Sequence, residues 1–412
     1  MELTKNEIKV LQDTAKTYME YASLPIQKEK INLWKAINRS KMQRPMVVID
    51  QIPWNEMNVN GELDMVVEDP VFKRVERDLK QAIYKWRHFP VDMVLDPFIR
   101  VPMALNNTGY GLKVEEKTLY ASGNVSSHVF TNQLATMEDG KKIKDMIITH
   151  DEAETKSRYE VASQIFKGIA PVEMEGSIFH LGVWDHLSQF MGVENIYFDL
   201  IDEPEKLHFF MERMTQSVLS AIQCTNDLKI YNVNSNVCHC SYIYTDELLP
   251  DSGKGKQPAI TQNGWGFGLA QLFSSVSPDV TKEFEIPYIT RMAEKFGMIY
   301  YGCCDRLDDR LDMVKTIPNL KKVSCSPWSL REEFAEKIGP KIIMSNKPTP
   351  AFLATETLDE DVIRKDLQRT VDAARKNNAN VEMILKDIST TKCQPQRLTK
   401  WAEIAMDVVN NY

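Results

Sequence analysis

The chain of 412 residues carries 50 basic and 58 acidic side chains, for a net charge of −8. That length can bury a large core, as one big domain or two ordinary ones. The acidic balance argues against nucleic acid and membrane surfaces, which both demand a basic face. No apolar run reaches the ~18 residues a membrane span needs. The start, Met1-Glu2-Leu3-Thr4-Lys5, lacks the apolar segment of a signal peptide, so a cytoplasmic location is expected. Cys224, Cys238, Cys240, Cys303, Cys304, Cys325 and Cys393 are an odd number of cysteines spread through a long chain. Such a chain needs no disulfide staples, and reduced thiols are expected.

In chain order, Thr4 and Glu7 form a capping box for a helix over 4–21, with Ile8, Leu11, Ala15 and Met19 on one face. Pro25 stops it, and a second helix covers 27–37. Residues 1–40 thus read as an N-terminal helical extension. Arg44-Pro45 then leads into a short buried strand, Met46-Val47-Val48-Ile49. Between 51 and 160 the pattern is irregular. Strand-like pieces at 92–101 and 118–130 alternate with turns, which predicts an inserted layer in the first third. Helices fit 183–190 and 204–225, the second with Leu207, Met211, Met214 and Leu219 toward one side. A strand at 229–233 precedes a long loop with Gly and Pro that runs through Gly268. Ser277-Pro278 opens a helix with serine as cap and proline in the first turn. Pro287 should kink that helix and Gly297 end it.

The clearest fold signal follows. Strands at 298–303, 321–325, 341–345 and 381–386 alternate with helices near 306–316, 329–338 and 357–377. Ser329/Glu332 and Thr357/Glu360 read as capping boxes for two of these helices. A repeating strand–helix order implies parallel strands joined by right-handed crossovers. No Gly-x-Gly-x-x-Gly turn or Walker-type loop favours an open doubly wound sheet. The expectation is an α/β chain, residues 1–412 forming a single (β/α)8 TIM-type barrel domain. A final helix over 395–409 packs Leu398, Trp401, Ile404 and Val408 on one face.

In a barrel, the carboxyl ends of the strands build one mouth. There the sequence puts Asp50 and Trp54, the 236–247 loop, Cys303-Cys304-Asp305, Cys325-Ser326, Ser345-Asn346-Lys347 and Lys386-Asp387. Thiolate, imidazole and carboxylate are the groups that hold zinc, and a catalytic zinc keeps one position open. Cys303 and Cys304 are the first ligand candidates; the bland alternative is that they are small buried hydrophobes. On an extended strand only one of them would face the site. Cys238-His239-Cys240, if extended, turns His239 away from its two cysteines, so all three cannot grip one ion. His239 is the third ligand candidate, with a packed loop as the alternative. Asp246 and Glu247 offer a general acid or base, although solvated loop carboxylates look the same in sequence. Trp54, Trp184 and Trp265 could wall a substrate pocket beside Asp50, or be ordinary core. His180 and His186 read as satisfied structural histidines.

These residues resemble the uroporphyrinogen decarboxylase superfamily, in a decarboxylase-like branch related to corrinoid-dependent methyltransferases. The resemblance is carried by the run from Arg44 to Met57, Tyr244-Thr245-Asp246-Glu247-Leu248 and Ser275-Val276-Ser277-Pro278. It continues through Tyr300-Tyr301-Gly302-Cys303-Cys304, Ile317-Pro318-Asn319-Leu320, Ser326-Pro327-Trp328 and Pro395-Gln396-Arg397-Leu398. It implies a (β/α)8 barrel. The superfamily's decarboxylases carry an early Arg-Gln-Ala-Gly-Arg loop, whereas this chain reads Asp50-Gln51-Ile52-Pro53-Trp54 there. The methyltransferases hold zinc with a His-x-Cys pair and a later cysteine; here Tyr301-Gly302-Cys303 keeps only the cysteine, and Ser345-Asn346-Lys347 has none. The resemblance therefore implies a methyltransferase moving a methyl group from a small methylated donor, a methoxylated aromatic first of all, to the cob(I)alamin of a partner corrinoid protein. Zinc would sit on Cys303 with Cys304 or His239, and Glu247 or Asp246 would manage a proton. A metal-independent decarboxylase-like enzyme, or a non-catalytic tetrapyrrole- or corrinoid-binding protein, is the alternative.

Overall fold

The computed structural model describes residues 3–120, 126–248 and 258–412. The chain opens with α1 (Lys5–Ala22) and α2 (Pro25–Asn38). Both halves of the Thr4/Glu7 capping box are made, and α1 buries Leu11 and Ala15. Then come β1 (Met46–Ile49) and α3 (Pro70–His88), whose first N–H groups donate to Asp69. The less regular stretch holds β2 (Ile99–Pro102), β3 (Leu105–Asn107), β4 (Glu116–Tyr120), β5 (Ser126–Phe130), β6 (Ile148–His150), α4 (Glu152–Ile165) and β7 (Val172–Glu175). Three helices follow, α5 (Val183–Met191), α6 (Val193–Asp202) and α7 (Pro204–Leu228), before the small hairpin β8 (Val237–Cys238) and β9 (Ser241–Tyr242). Next are β10 (Trp265–Gly268), α8 (Pro278–Phe284), α9 (Ile286–Ala293), β11 (Met298–Tyr301), α10 (Leu311–Val314) and β12 (Leu320–Cys325). The chain ends with α11 (Arg331–Ile338), β13 (Ile343–Asn346), α12 (Glu360–Asn377), β14 (Asn380–Leu385) and α13 (Gln396–Asn410).

The centre is a six-stranded parallel sheet in the order β1-β14-β13-β12-β11-β10. Most of its residues are buried, as expected when helices cover a parallel sheet. The ladder is not closed, which corrects the expectation of a complete (β/α)8 ring. Between the edges β1 and β10 the described chain offers only short pieces. β2 and β7 pair in parallel, and single parallel bridges join Ser177 to Tyr231 and His180 to Phe267. Asp92 N donates to Val47 O of β1 at 2.9 Å. The antiparallel pairs β3/β6 and β4/β5 interrupt this stretch, and the strand expected at 229–233 contributes one bridge residue.

Local differences have local causes. Ser329 does not cap α11, because its hydroxyl meets Ser326 Oγ at 3.3 Å. Asp359, not Thr357, caps α12 by accepting from Val362 N at 3.0 Å. Pro287 divides the expected helix into α8 and α9, since it cannot donate to the preceding turn. The helix expected over 306–316 shrinks to α10. Ahead of it Arg310 is pulled inward, donating to Phe273 O at 2.7 Å and Thr281 Oγ1 at 2.8 Å. Parts of the strand expected over 118–130 and of the loop before Gly268 lie outside the described residues. Among the described residues no helix is long and apolar enough to cross a membrane.

One face of the sheet is polar at its middle. Strand side chains alternate faces, so Val323 and Cys325 pack into a hydrophobic core while Lys322 and Ser324 turn the other way. Lys322 Nζ donates to Glu382 Oε2 at 2.7 Å and Ser241 Oγ at 2.6 Å. Ser345 Oγ donates to Glu382 Oε1 at 2.7 Å, and Lys347 Nζ reaches Ser345 Oγ at 2.7 Å and Tyr300 OH at 2.5 Å. A buried charge survives only when it is paired and hydrogen-bonded; the Lys322–Glu382 pair meets that condition, whereas Lys347 has only hydroxyl partners. Burial lowers the pKa of Lys322 and brings Lys347 down to about 8.

Candidate functional site

Three chain segments bring reactive groups together above this network. β11 ends in Gly302-Cys303-Cys304-Asp305, β14 ends in Lys386-Asp387, and the turn of the β8/β9 hairpin carries His239. Gly302, His239 and Asp387 all hold positive φ, at +86°, +54° and +55°. A Cβ on Gly302 would lie 2.5 Å from Leu307 Cδ1, so glycine is needed there for space as well as for φ. Two non-glycine residues in the left-handed region beside one thiol are local strain of the kind that collects at functional sites. The hairpin corrects the extended reading of Cys238-His239-Cys240. Because the chain turns at His239, its ring reaches the end of β11 while Cys238 and Cys240 are buried. Burial pushes both of those thiols up to about 12.

Cys303 is the centre of the cluster. Its Sγ lies 2.6 Å from Lys386 Nζ, 3.3 Å from His239 Nε2 and 3.6 Å from Cys304 Sγ. Its backbone is pinned: its N–H donates to Asp305 Oδ1 at 2.8 Å, and Ser324 Oγ donates to its carbonyl at 2.6 Å. Lys386 Nζ also lies 3.0 Å from His239 Nε2. The hydrogen bond from Cys304 holds the Cys303 thiol well below its ordinary range, against burial, and His239 and Lys386 add to the effect. The Cys304 thiol is pushed up, first by that contact with Cys303 and then by burial. Yet Cys304 has one proton to give, and Asp387 Oδ2 stands closer, at 2.6 Å. The shorter contact to a carboxylate is the better hydrogen bond. On that geometry the thiolate at Cys303 rests mainly on Lys386. Burial opposes charge on Lys386, but the neighbouring Cys303 carries its pKa above the ordinary lysine range. Burial lowers that of His239, while its hydrogen bond to Cys303 opposes the shift.

Among the described residues, one group of possible metal ligands has its donor atoms within 4.8 Å of one another: Cys303, Cys304 and Asp387. His239 touches Cys303 but is not part of that group. Lys386-Asp387 line the mouth in sequence without a role of their own; β13 and β12 separate β14 from β11, so their nearness to two thiols is a contact across the strand ends and not one between neighbouring strands.

A cavity of about 890 Å³ adjoins the cluster through His239, and Asp50, Trp54, Asp246 and Trp265 also line it. Trp184 does not. It is fully buried, its Nε1 donating to Phe284 O at 2.9 Å, and it is a core residue. Asp246 is paired with Lys35 at 2.8 Å and with Arg39. Glu247 pairs with Lys321 at 2.9 Å and is not among the cavity residues. The other lining carboxylates also have cations. Asp96 accepts from Arg100 at 2.7 Å, Glu175 pairs with Arg74, Asp78 stands 2.9 Å from Arg77, and Asp50 lies 3.9 Å from Lys85. The walls are aromatic, with Phe179, Tyr231 and Phe267 joining the two tryptophans.

His180 was read from sequence as structural, but its ring lines the cavity, 5.1 Å from Phe267, and protein around it pushes its pKa down to about 4. Beyond it lie three buried or half-buried carboxyls, Asp185, Glu285 and Asp305, each raised chiefly by burial, Asp185 to about 7. Sequence alone gave no sign of that trio, because its members come from three separate segments.

No protein-family model matches the chain, and no curated protein matches it. Among solved structures it is similar to a methyltransferase from Methanosarcina mazei. The two share 12% identity at a TM-score of 0.51, over 92% of this chain and 98% of the other. A likeness at that identity is one of fold.

Proposed function

We propose that the chain is a methyltransferase that moves a methyl group from a small methylated donor to the cob(I)alamin of a partner corrinoid protein. The observation that carries this reading is the thiol pair Cys303/Cys304 at a strand end, with Asp387 in ligand range and an aromatic cavity alongside. The shared fold with a methyltransferase supports it, as does the resemblance to the uroporphyrinogen decarboxylase superfamily. In this reading the open sheet, the β2/β7 pair and the single bridges are a (β/α)8 barrel with one irregular side.

The donor set suits zinc: two sulfurs and a carboxylate within 4.8 Å of one another leave a fourth position free. Cys303, Cys304 and Asp387 would hold the ion. When bound, it would supply Lewis acidity toward the oxygen from which the methyl group departs. The remaining work falls to the chain itself. Lys386 keeps Cys303 ionised. His239 Nε2 is shared between Lys386 Nζ at 3.0 Å and Cys303 Sγ at 3.3 Å. His239, which lines the cavity, would manage the proton at the departing oxygen. The tryptophans Trp54 and Trp265 and the Phe267 ring hold the donor, and Asp246, already paired with two cations, positions the rim.

A second reading, a metal-independent enzyme acting on a carboxylated substrate, is favoured by one contact: Lys386 at 2.6 Å already compensates the Cys303 thiolate without a metal. Elemental analysis of anaerobically purified protein separates the two. Near-stoichiometric zinc that is lost in Cys303→Ala, Cys304→Ala and Asp387→Ala is expected. Wild-type protein without zinc, and inert toward reduced corrinoid protein with methylated donors, would leave the second reading.

A further inference from the structure

The carboxylates that line the 890 Å³ cavity each have a cation near them, and one of these pairs stands open. Asp246 meets Lys35 at 2.8 Å, Asp96 meets Arg100 at 2.7 Å, and Asp78 meets Arg77 at 2.9 Å. Asp50 Oδ1 and Lys85 Nζ lie 3.9 Å apart, which is beyond hydrogen-bond reach. Among the described residues Lys85 Nζ makes no hydrogen bond, and the Asp50 carboxylate accepts only from Gln51 N, next to it in the chain, at 2.8 Å. Both groups are largely withdrawn from water, with 16% of the Lys85 side chain and 34% of the Asp50 side chain exposed. Their backbones are fixed. Asp50 follows β1, and its N–H donates to Leu385 O of β14 at 2.9 Å; Lys85 lies in the last turn of α3, where its carbonyl accepts from Phe89 N at 2.9 Å. Trp54 lines the cavity with them, its ring 6.0 Å from that of Tyr84.

An ion pair held open in a cavity wall is matched by a guest that carries both signs. An anion set on Lys85 would come against the Asp50 carboxylate, and a cation set on Asp50 would come against the Lys85 ammonium. A zwitterion meets neither repulsion. With its carboxylate on Lys85 and its ammonium on Asp50, each at a charge-assisted distance of about 2.8 Å, the four groups alternate in sign around a ring. The two ends of the guest must lie close together to bridge a gap of 3.9 Å, as they do when both sit on one carbon. A few placed polar groups against aromatic walls are the ordinary makeup of a small-molecule site.

We propose that Asp50 and Lys85 form the headgroup site of this cavity, and that its ligand is an α-amino acid with its carboxylate on Lys85 and its ammonium on Asp50. The aromatic walls then take the ligand's side chain. This rests on the methyl-transfer reading only in taking the ligand to be the methyl donor. The binding itself stands without it.

Titration calorimetry on the full-length protein tests the assignment with three probes that share one aromatic methyl ether: O-methyltyrosine, its deaminated acid and its decarboxylated amine. Wild type should bind O-methyltyrosine at least about tenfold more tightly than either of the others, the scale of one charge-assisted hydrogen bond. Lys85→Met should bring O-methyltyrosine down to the level of the amine, without weakening the amine. Asp50→Asn should bring it down to the level of the acid, without weakening the acid. Wild type that does not bind O-methyltyrosine, or binds it no more tightly than the acid or the amine, would overturn the proposal. So would variants that keep the full preference, or that weaken all three probes alike, as a merely structural pair would. If one variant does not fold, the other decides together with wild type. Binding of O-methyltyrosine without methyl transfer to reduced corrinoid protein would sink the methyltransferase reading and leave this site standing. Transfer from an uncharged methyl ether, with no preference for the amino acid, would do the reverse.

Discussion

Lys386 Nζ lies 2.6 Å from Cys303 Sγ and 3.0 Å from His239 Nε2, so one ammonium serves a thiolate and an imidazole at once. An opposite charge at this distance favours the ionised thiol, typically by one to three pH units. Lys386→Met should raise the titration midpoint of Cys303 by roughly that amount. Thiolate ultraviolet absorbance against pH, on metal-free protein with Cys303→Ser as the blank, measures it. An unmoved midpoint would mean that the Cys304 proton, not Lys386, sustains the charge. Asp387→Asn would then be expected to shift it instead.

Gly302 sets the direction in which the two thiols leave β11. Its φ of +86° is costly for any other residue, and a Cβ would press on Leu307 Cδ1 at 2.5 Å and Ser324 Cβ at 3.2 Å. Gly302→Ala should destabilise the protein by about 2 kcal/mol, the sum of a left-handed backbone and a tight contact. It should also reduce bound metal, because Cys303 and Cys304 follow directly. Denaturant midpoints and metal content report the two effects separately.

The third of the chain from Ser277 onward was legible because its strands are short apolar runs between helices with ordinary stop signals. β11 to β14 fall within about two residues of their expected bounds. The first third was not, since β2, β3, β6 and β7 are three or four residues long and pair with distant partners, which leaves no periodic signal to read. At the site, Cys303, Cys304 and His239 could be picked out as reactive types near strand ends. Their mutual distances could not, because the αL turn at His239 reverses the direction that an extended Cys238-His239-Cys240 would imply. Lys386 and Asp387 were visible as strand-end residues, but β14 and β11 are three places apart in the sheet, and a contact between their ends is a fact of the folded chain. The cavity that His180 borders had no sign in the sequence, because one histidine cannot show what it faces.

The Lys322–Glu382 pair is fully buried at 2.7 Å. Removing one member of such a pair strands the other charge, which typically costs 3–5 kcal/mol. Lys322→Met alone should fall near that range. Glu382→Gln should cost at least as much, because Lys322 loses its counter-charge and one amide oxygen cannot replace both carboxylate oxygens toward Lys322 and Ser345. The double variant Lys322→Met/Glu382→Gln should be more stable than Lys322→Met. A double variant whose loss equals the sum of the single losses would show that the two side chains are not coupled.

Asp185 gives the protein a defined pH dependence. Its carboxyl is pushed up from 3.8 to about 7 chiefly by burial, with the charges of Asp305 and Cys303 adding and the hydrogen bond from Gln271 N opposing. Between these two values the folded chain keeps the proton and the unfolded chain has lost it. The folded pKa is the raised one, so the stabilising contribution is complete below about pH 4 and disappears as the pH climbs through 7. The swing is at most about 4 kcal/mol, and the partial exposure of Asp185 reduces it. Asp185→Asn is neutral at every pH and keeps an oxygen for Gln271 N. The variant should therefore gain on wild type steadily from pH 4 to 7 and hold a constant lead above 8. Chemical denaturation at a series of pH values measures the gap. A lead that does not change across that interval would mean Asp185 is ionised in the folded protein throughout, with its charge relieved by solvent entering from the cavity side.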